Sequence, residues 1–306
     1  MDFLSQSTSG KNDFSSYILT ICLILVAYGL LGSLPLLIDL RLSGSDLSEG
    51  MSIEQISRVL GKNRLLIHLL LPFVFIFAAL YLGITRFHKR KFLTVITTSK
   101  DFRWKRFFTS FFIWWGVMFV FVLTEYLTGS ELILNFKLST FIPLLLISFL
   151  LIPIQTSAEE ILFRGYLAQS LFRKIGSNLH TIIITSIFFA LMHAFNPEVK
   201  TLGYGILSYY FLTGIFLAII TIMDRGLELS MGYHAANNVF AAIMITTNWQ
   251  AFQTDAILLD TSSPSFGLDS ILTLAIIQPA LLFLFSKMYN WKNWKKLISK
   301  NESLIE

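Results

Sequence analysis

The chain has 306 residues, of which 54% are hydrophobic and only 14% charged, against about 25% charged in a soluble domain. That balance, with a mean hydropathy of +0.66, excludes an ordinary soluble globular protein. The net charge of +5 falls beside apolar runs, which suits an anionic membrane surface and no nucleic acid, and the single cysteine, Cys22, excludes an intrachain disulfide or a cysteine-based metal cluster.

In chain order, polar Met1 to Ser16 precedes an apolar run from Tyr17 to Ile38. That run is longer than a signal-peptide core and lacks a small-residue cleavage site, so it reads as a retained first span. Eight candidate spans follow from runs near the ~20 residues needed to cross a bilayer. They are roughly 17–38, 65–85, 107–124, 141–172, 177–195, 203–223, 228–247 and 269–288. The fourth is long and polar in its middle, and the fifth is short of apolar residues. The expected fold is all-α, a polytopic membrane bundle of about eight transmembrane helices, with residues 1–306 as one integral membrane domain. No soluble domain or internal repeat is visible.

Basic residues set the orientation, because short Lys/Arg-rich loops stay cytoplasmic. The segment 86–106 carries Arg86, Lys89, Arg90, Lys91, Lys100, Arg103, Lys105 and Arg106. Placing it inside leaves only Arg41, Arg58, Lys62, Arg64, Lys137 and Lys200 of the 24 basic residues outside. An eight-span chain with both termini cytoplasmic fits that asymmetry. His68, His88 and His180 lie near span ends and read as interfacial. Glu125, Asp224 and Glu228 also lie at span ends and read as solvated.

The informative residues are ionisable groups inside apolar runs, where a charge costs ~2.5–3.5 kcal/mol on insertion scales. The first cluster is Glu159-Glu160 with Arg164. Glu160 and Arg164 are i and i+4, so they can pair on one helix face and leave Glu159 free. The second is Phe189 with His193, followed by Asn196 and Pro197. Ile175, Gly176 and Ser177 look like a turn, with Glu159 lying 17 residues before Gly176 and His193 lying 17 after it. In an antiparallel hairpin of equal rise the two reach the same depth. The third is His234-Ala235-Ala236-Asn237-Asn238, where His234 and Asn238 share a face and the alanines admit a close neighbour. Without chemistry, the same groups would be a buried ion network and a helix–helix hydrogen-bond clamp.

In this order, Glu159-Glu160…Arg164, Phe189…His193 and His234…Asn238 resemble the signature of the type II CAAX prenyl endopeptidases, the CPBP or Abi family of intramembrane proteases. The resemblance covers about residues 140–245, a catalytic core, and no motif position departs from it. It implies an eight-helix bundle with a cavity open toward the cytoplasm, in the cytoplasmic membrane of a bacterium, and cleavage of a peptide bond near the membrane surface. It implies Glu159 as the general base that activates water, with His193 beside it, His234 and Asn238 as the oxyanion hole, and Glu160 and Arg164 as architectural support. The substrate class it implies is a peptide or protein, lipidated or a leader peptide. No cofactor is required on this reading. The alternative is zinc or another divalent metal held by Glu159, His193 and His234, although His-Glu-x-x-His is missing.

Two other readings use the same residues. One is a proton-coupled transporter, which would favour an inverted repeat. The other is a non-catalytic bacteriocin-immunity or scaffold protein of the same fold. No Gly-x-Ser-x-Gly and no deep Asp pair points to another protease chemistry.

Overall fold

The computed structural model describes residues 2–45, 50–129 and 131–300, so Met1, 46–49, Ser130 and 301–306 of the expected 1–306 domain lie outside the described residues. It is an all-α membrane bundle. Every expected span has its helix: α1 Phe14–Leu42, α2 Lys62–Phe87, α3 Trp104–Leu127, α4 Leu138–Ile175, α5 Asn178–Met192, α6 Tyr204–Asp224, α7 Glu228–Ile243 and α8 Leu268–Met288. Six are long and apolar enough to cross a membrane; α5 and α7, at 15 and 16 residues, fall short of that length. The apolar surface points outward, as lipid contact requires. Leu25, Leu146, Leu150 and Phe283 are all exposed on α1, α4 and α8.

The core inverts this pattern. Helix α7 runs through the middle, packed against α3, α4 and α6, with Ala235, Ala236, Val239 and Ala242 fully buried. Its small residues allow backbones to approach closely. At Gly232 a Cβ would run into the Phe107 backbone carbonyl of α3, so only glycine permits that crossing. A helix enclosed by protein need not match the lipid thickness, which removes the length requirement from α7.

The chain alternates between two poles. At one, the segment 86–106 meets the first and last described residues. Gln6 Nε2 donates to the Thr97 carbonyl at 3.2 Å, Gln169 Nε2 to the Phe3 and Thr94 carbonyls at 3.1 and 2.9 Å, and Asn178 Nδ2 to the Lys296 carbonyl at 2.6 Å. At the other pole, three short strands, β1 Leu132–Leu134, β2 Ile245–Thr246 and β3 Leu258–Asp260, form a sheet in the order β1-β3-β2. There Lys62 Nζ donates to the Thr254 carbonyl at 3.2 Å and the Ala251 amide to Glu198 at 2.9 Å.

The basic pole corrects two expectations. Asp224 and Glu228 are not solvated: their side chains are 1% and 0% exposed. Arg103 spans both, at 2.9 Å to Asp224 and 2.5 Å to Glu228, and Arg106 adds a second contact to Asp224. Burial pulls down on the Arg103 guanidinium, but these two acids outweigh it and hold it above its ordinary pKa. His88, at the end of α2, is covered by protein, with Nδ1 on the Lys11 carbonyl and Nε2 on the Tyr166 hydroxyl. Glu125 is half-buried.

Candidate functional site

The three clusters converge at the junction of α4, α5 and α7. Local sequence explains the first step. Helix α4 ends at Gly176, whose φ of +65° is the left-handed cap that glycine adopts without steric cost, and Ser177 caps α5 through the His180 amide. The resulting hairpin keeps register. Phe163 lies 13 residues before Gly176 and Phe189 lies 13 after, and their rings meet edge to face at 5.7 Å. Glu159 and His193 each lie one turn further along. Immediately after Glu160, residues Ile161–Leu167 turn π-helical, a local widening frequent at functional sites.

Glu160 and Arg164 form the floor. Arg164 Nη1 donates to Glu160 Oε1 at 3.0 Å, and the side chains are 1% and 0% exposed. His234 Nδ1 meets the same oxygen at 2.9 Å. An ionised carboxylate only accepts, so Nδ1 carries a proton. The other ring nitrogen, Nε2, faces Glu159 Oε2 at 3.5 Å. Glu159 differs from its neighbour. Its side chain is 13% exposed and Gln155 Nε2 donates to its Oε1 at 2.7 Å; the Oε2 atoms of both glutamates are without a hydrogen-bond partner.

Asn238 joins from the next turn of α7: its Nδ2 donates to Gln155 Oε1 at 3.1 Å. Asn237 Nδ2 donates to Asn238 Oδ1 at 3.1 Å, and Trp114 Nε1 of α3 donates to Asn237 Oδ1 at 3.2 Å. Gln155, Trp114 and Tyr210 are participants that the sequence reasoning left out.

His193 enters through rings rather than through a hydrogen bond to this network. Its Nδ1 donates to the Phe189 carbonyl at 2.7 Å, which leaves the Nε2 lone pair free when the ring is neutral. Tyr210 of α6 stacks on it with centroids 4.1 Å apart. Phe189 lies between the groups: 4.7 Å from the His193 ring, 6.0 Å from the His234 ring, and beneath the Arg164 guanidinium at 4.0 Å. That cation–π contact, worth ~2 kcal/mol when desolvated, gives this phenylalanine a second task beyond filling space.

Zinc would need Glu159, His193 and His234 around one point at about 2.0–2.2 Å. Glu159 Oε2 and His234 Nε2 approach within 3.5 Å, and the Nδ1 bond to Glu160 leaves Nε2 free, so the misfit does not arise at that histidine. Among the described residues no three His, Cys, Asp or Glu side chains gather as a metal-holding group. As placed, the donor set does not fit a tetrahedral ion.

The site sits close to the basic pole. Glu159 precedes Tyr166, the partner of His88 in the basic segment, by seven residues, about 10 Å of helical rise.

Residues 138–240 match the family model described as Rce1-like, type II CAAX prenyl endopeptidase. The chain is 33% identical over 176 residues to the uncharacterized protein YyaK of Bacillus subtilis (strain 168), covering 57% of this chain and 59% of that relative's length. No solved structure matches.

Proposed function

Because residues 138–240 form an Rce1-like domain of the type II CAAX prenyl endopeptidases, we propose that this integral membrane protein is an intramembrane endopeptidase that uses Glu159-activated water. The observation that carries the reading is the asymmetry of the paired glutamates. Glu160 is fully enclosed and shared between Arg164 and His234, whereas Glu159 is 13% exposed as a side chain and takes its hydrogen bond from the neutral Gln155 amide.

The chemistry follows from the donor and acceptor inventory. Water hydrogen-bonds to Glu159 Oε2 and to the His193 Nε2 lone pair; as its oxygen attacks the scissile carbonyl carbon, one proton passes to Glu159 and the other stays on the oxygen. The carbonyl oxygen becomes an oxyanion. Asn238 Nδ2 has a second hydrogen to offer it, and His234 Nε2 offers another when both ring nitrogens carry protons. One such donor is often worth about 2.7–4 kcal/mol of transition-state stabilisation. Collapse then breaks the C–N bond, and protonated Glu159 returns its proton to the leaving amine. Arg164 and Glu160 keep His234 in place throughout.

The substrate on this reading is a peptide or protein segment lying near the membrane surface, lipidated or a leader. The basic pole is cytoplasmic by the charge rule, which puts the site near that surface. Catalysis is metal-free, supported by the misfit of the donor set.

The test is hydrolysis of a panel of lipidated and leader peptides by purified wild type, Glu159→Ala and His193→Ala. Loss of a general base or its partner should cost about 10²–10⁴-fold in rate. Equal turnover in all three proteins refutes the assignment. Activity lost with chelator and restored by zinc would refute the metal-free part alone.

A further inference from the structure

Five side chains on three helices form one continuous hydrogen-bonded line. Trp114 Nε1 donates to Asn237 Oδ1 at 3.2 Å, Asn237 Nδ2 to Asn238 Oδ1 at 3.1 Å, Asn238 Nδ2 to Gln155 Oε1 at 3.1 Å, and Gln155 Nε2 to Glu159 Oε1 at 2.7 Å. The direction is forced from both ends. An indole nitrogen can only donate, and an ionised carboxylate can only accept. The three amides between them therefore have a single orientation, and reversing any one sets like against like on both its sides.

We propose that Trp114 and Gln155 are positioning residues that orient this relay, so that Glu159 is engaged at Oε1 with Oε2 left unpartnered and Asn238 presents its remaining N–H to the substrate. The inference rests on the peptidase reading above and extends it to two residues outside the three motifs. Bonds in such a chain polarise one another, so the N–H groups of Asn238 become stronger donors than those of an isolated amide. Gln155 is 4% exposed and couples base to oxyanion donor directly. Trp114 is 3% exposed and stacks on Tyr233 at 4.4 Å, so its plane is fixed and its N–H is aimed. The relay ties α3, α7 and α4 together where the chemistry occurs.

The test uses the full chain in detergent or liposomes, on any peptide the wild type cleaves. Gln155→Leu removes the link next to the base. Trp114→Phe removes only the N–H and keeps a ring to stack on Tyr233. Expected for Gln155→Leu is a fall in kcat of about tenfold or more with KM within about twofold, the pattern of an interaction used in the transition state. Trp114→Phe should lower kcat about threefold or more, within the range of one neutral hydrogen bond. In the double variant Trp114→Phe should add nothing, because the line is already cut; two independent packing defects would multiply instead. Unchanged kcat in Gln155→Leu, multiplying effects, or a rise in KM alone overturns the proposal. Should Gln155→Leu fail to fold, the kcat of Trp114→Phe decides by itself. Full turnover by Glu159→Ala would sink the peptidase reading, whereas an inert Glu159→Ala beside an unimpaired Gln155→Leu would sink only the relay.

Discussion

Arg164→Met separates the two glutamates' tasks by stability rather than activity. Methionine keeps most of the apolar stem but deletes the guanidinium. The deletion removes the 3.0 Å bond to Glu160 and the cation–π contact at 4.0 Å from Phe189, at a site where both charged side chains are 1% exposed or less. Breaking a buried pair from one side costs about 3–5 kcal/mol, because the remaining charge stays buried. His234 Nδ1 still faces Glu160, which draws the cost toward the lower end. At roughly 2–4 °C per kcal/mol, the melting temperature in detergent should fall by about 10 °C. Adding Glu160→Gln removes the stranded charge and should recover part of that loss. Glu159→Gln keeps the acceptor for Gln155 and sits at a partly exposed position, so it should melt within about 2 °C of wild type, a change below ~1 kcal/mol, yet be inert. Arg164→Met melting with wild type, or Glu159→Gln melting as low as Arg164→Met, would refute the division of labour.

Three further outcomes follow from groups away from the chemistry. Burial pushes the Glu198 carboxyl above its usual pKa, so ionising it costs stability as pH rises past the ordinary carboxylate value; Glu198→Gln, which keeps an acceptor for the Ala251 amide, should melt above wild type at pH 7 and with it at pH 4. Burial, helped by nearby Arg90, pulls the His88 imidazole below its usual pKa, so its share of stability is complete above about pH 6.5 and lost as pH falls below that value. Thermal melts between pH 7 and 5 should therefore decline more steeply for wild type than for His88→Gln. Gly232→Ala places a Cβ against the Phe107 backbone carbonyl, which cannot rotate aside. It should cost about 1–3 kcal/mol as overpacking and lower both melting temperature and turnover, measured on the same preparation.

The helices were legible because lipid imposes a simple rule. Each needs a long run free of charge. Six of the eight expected runs carry a helix long and apolar enough to span, and the other two, α5 and α7, carry shorter helices near the expected place. The Glu160–Arg164 pair was legible from i,i+4 spacing, and the hairpin from the symmetry of Glu159 and His193 about Gly176. Gln155 was hidden because an uncharged amide in an apolar helix raises no alarm, although its place one turn before Glu159 was available to reasoning. Trp114 and Tyr210 were hidden for a different reason: an aromatic ring among many reads as packing, and only the partner of its N–H or its face reveals more.

The acids at the basic pole show where span-by-span reading stops. A carboxylate at a span end is solvated only if nothing covers that end. Here short segments around Phe3, Leu4, Val95, Ile96 and Trp291 fold over it, each buried and none long enough to show a period. They convert Asp224 and Glu228 from surface charges into clamps for Arg103 and Arg106. The clamp has a consequence for the site. Glu228 starts α7 and lies six residues before His234, so an arginine at the start of α3 fixes the height at which the histidine meets Glu160. The first three spans carry no motif, yet one of them sets the depth of a motif residue. On the peptidase reading, that contact makes the position of a site residue depend on a segment outside the matched region.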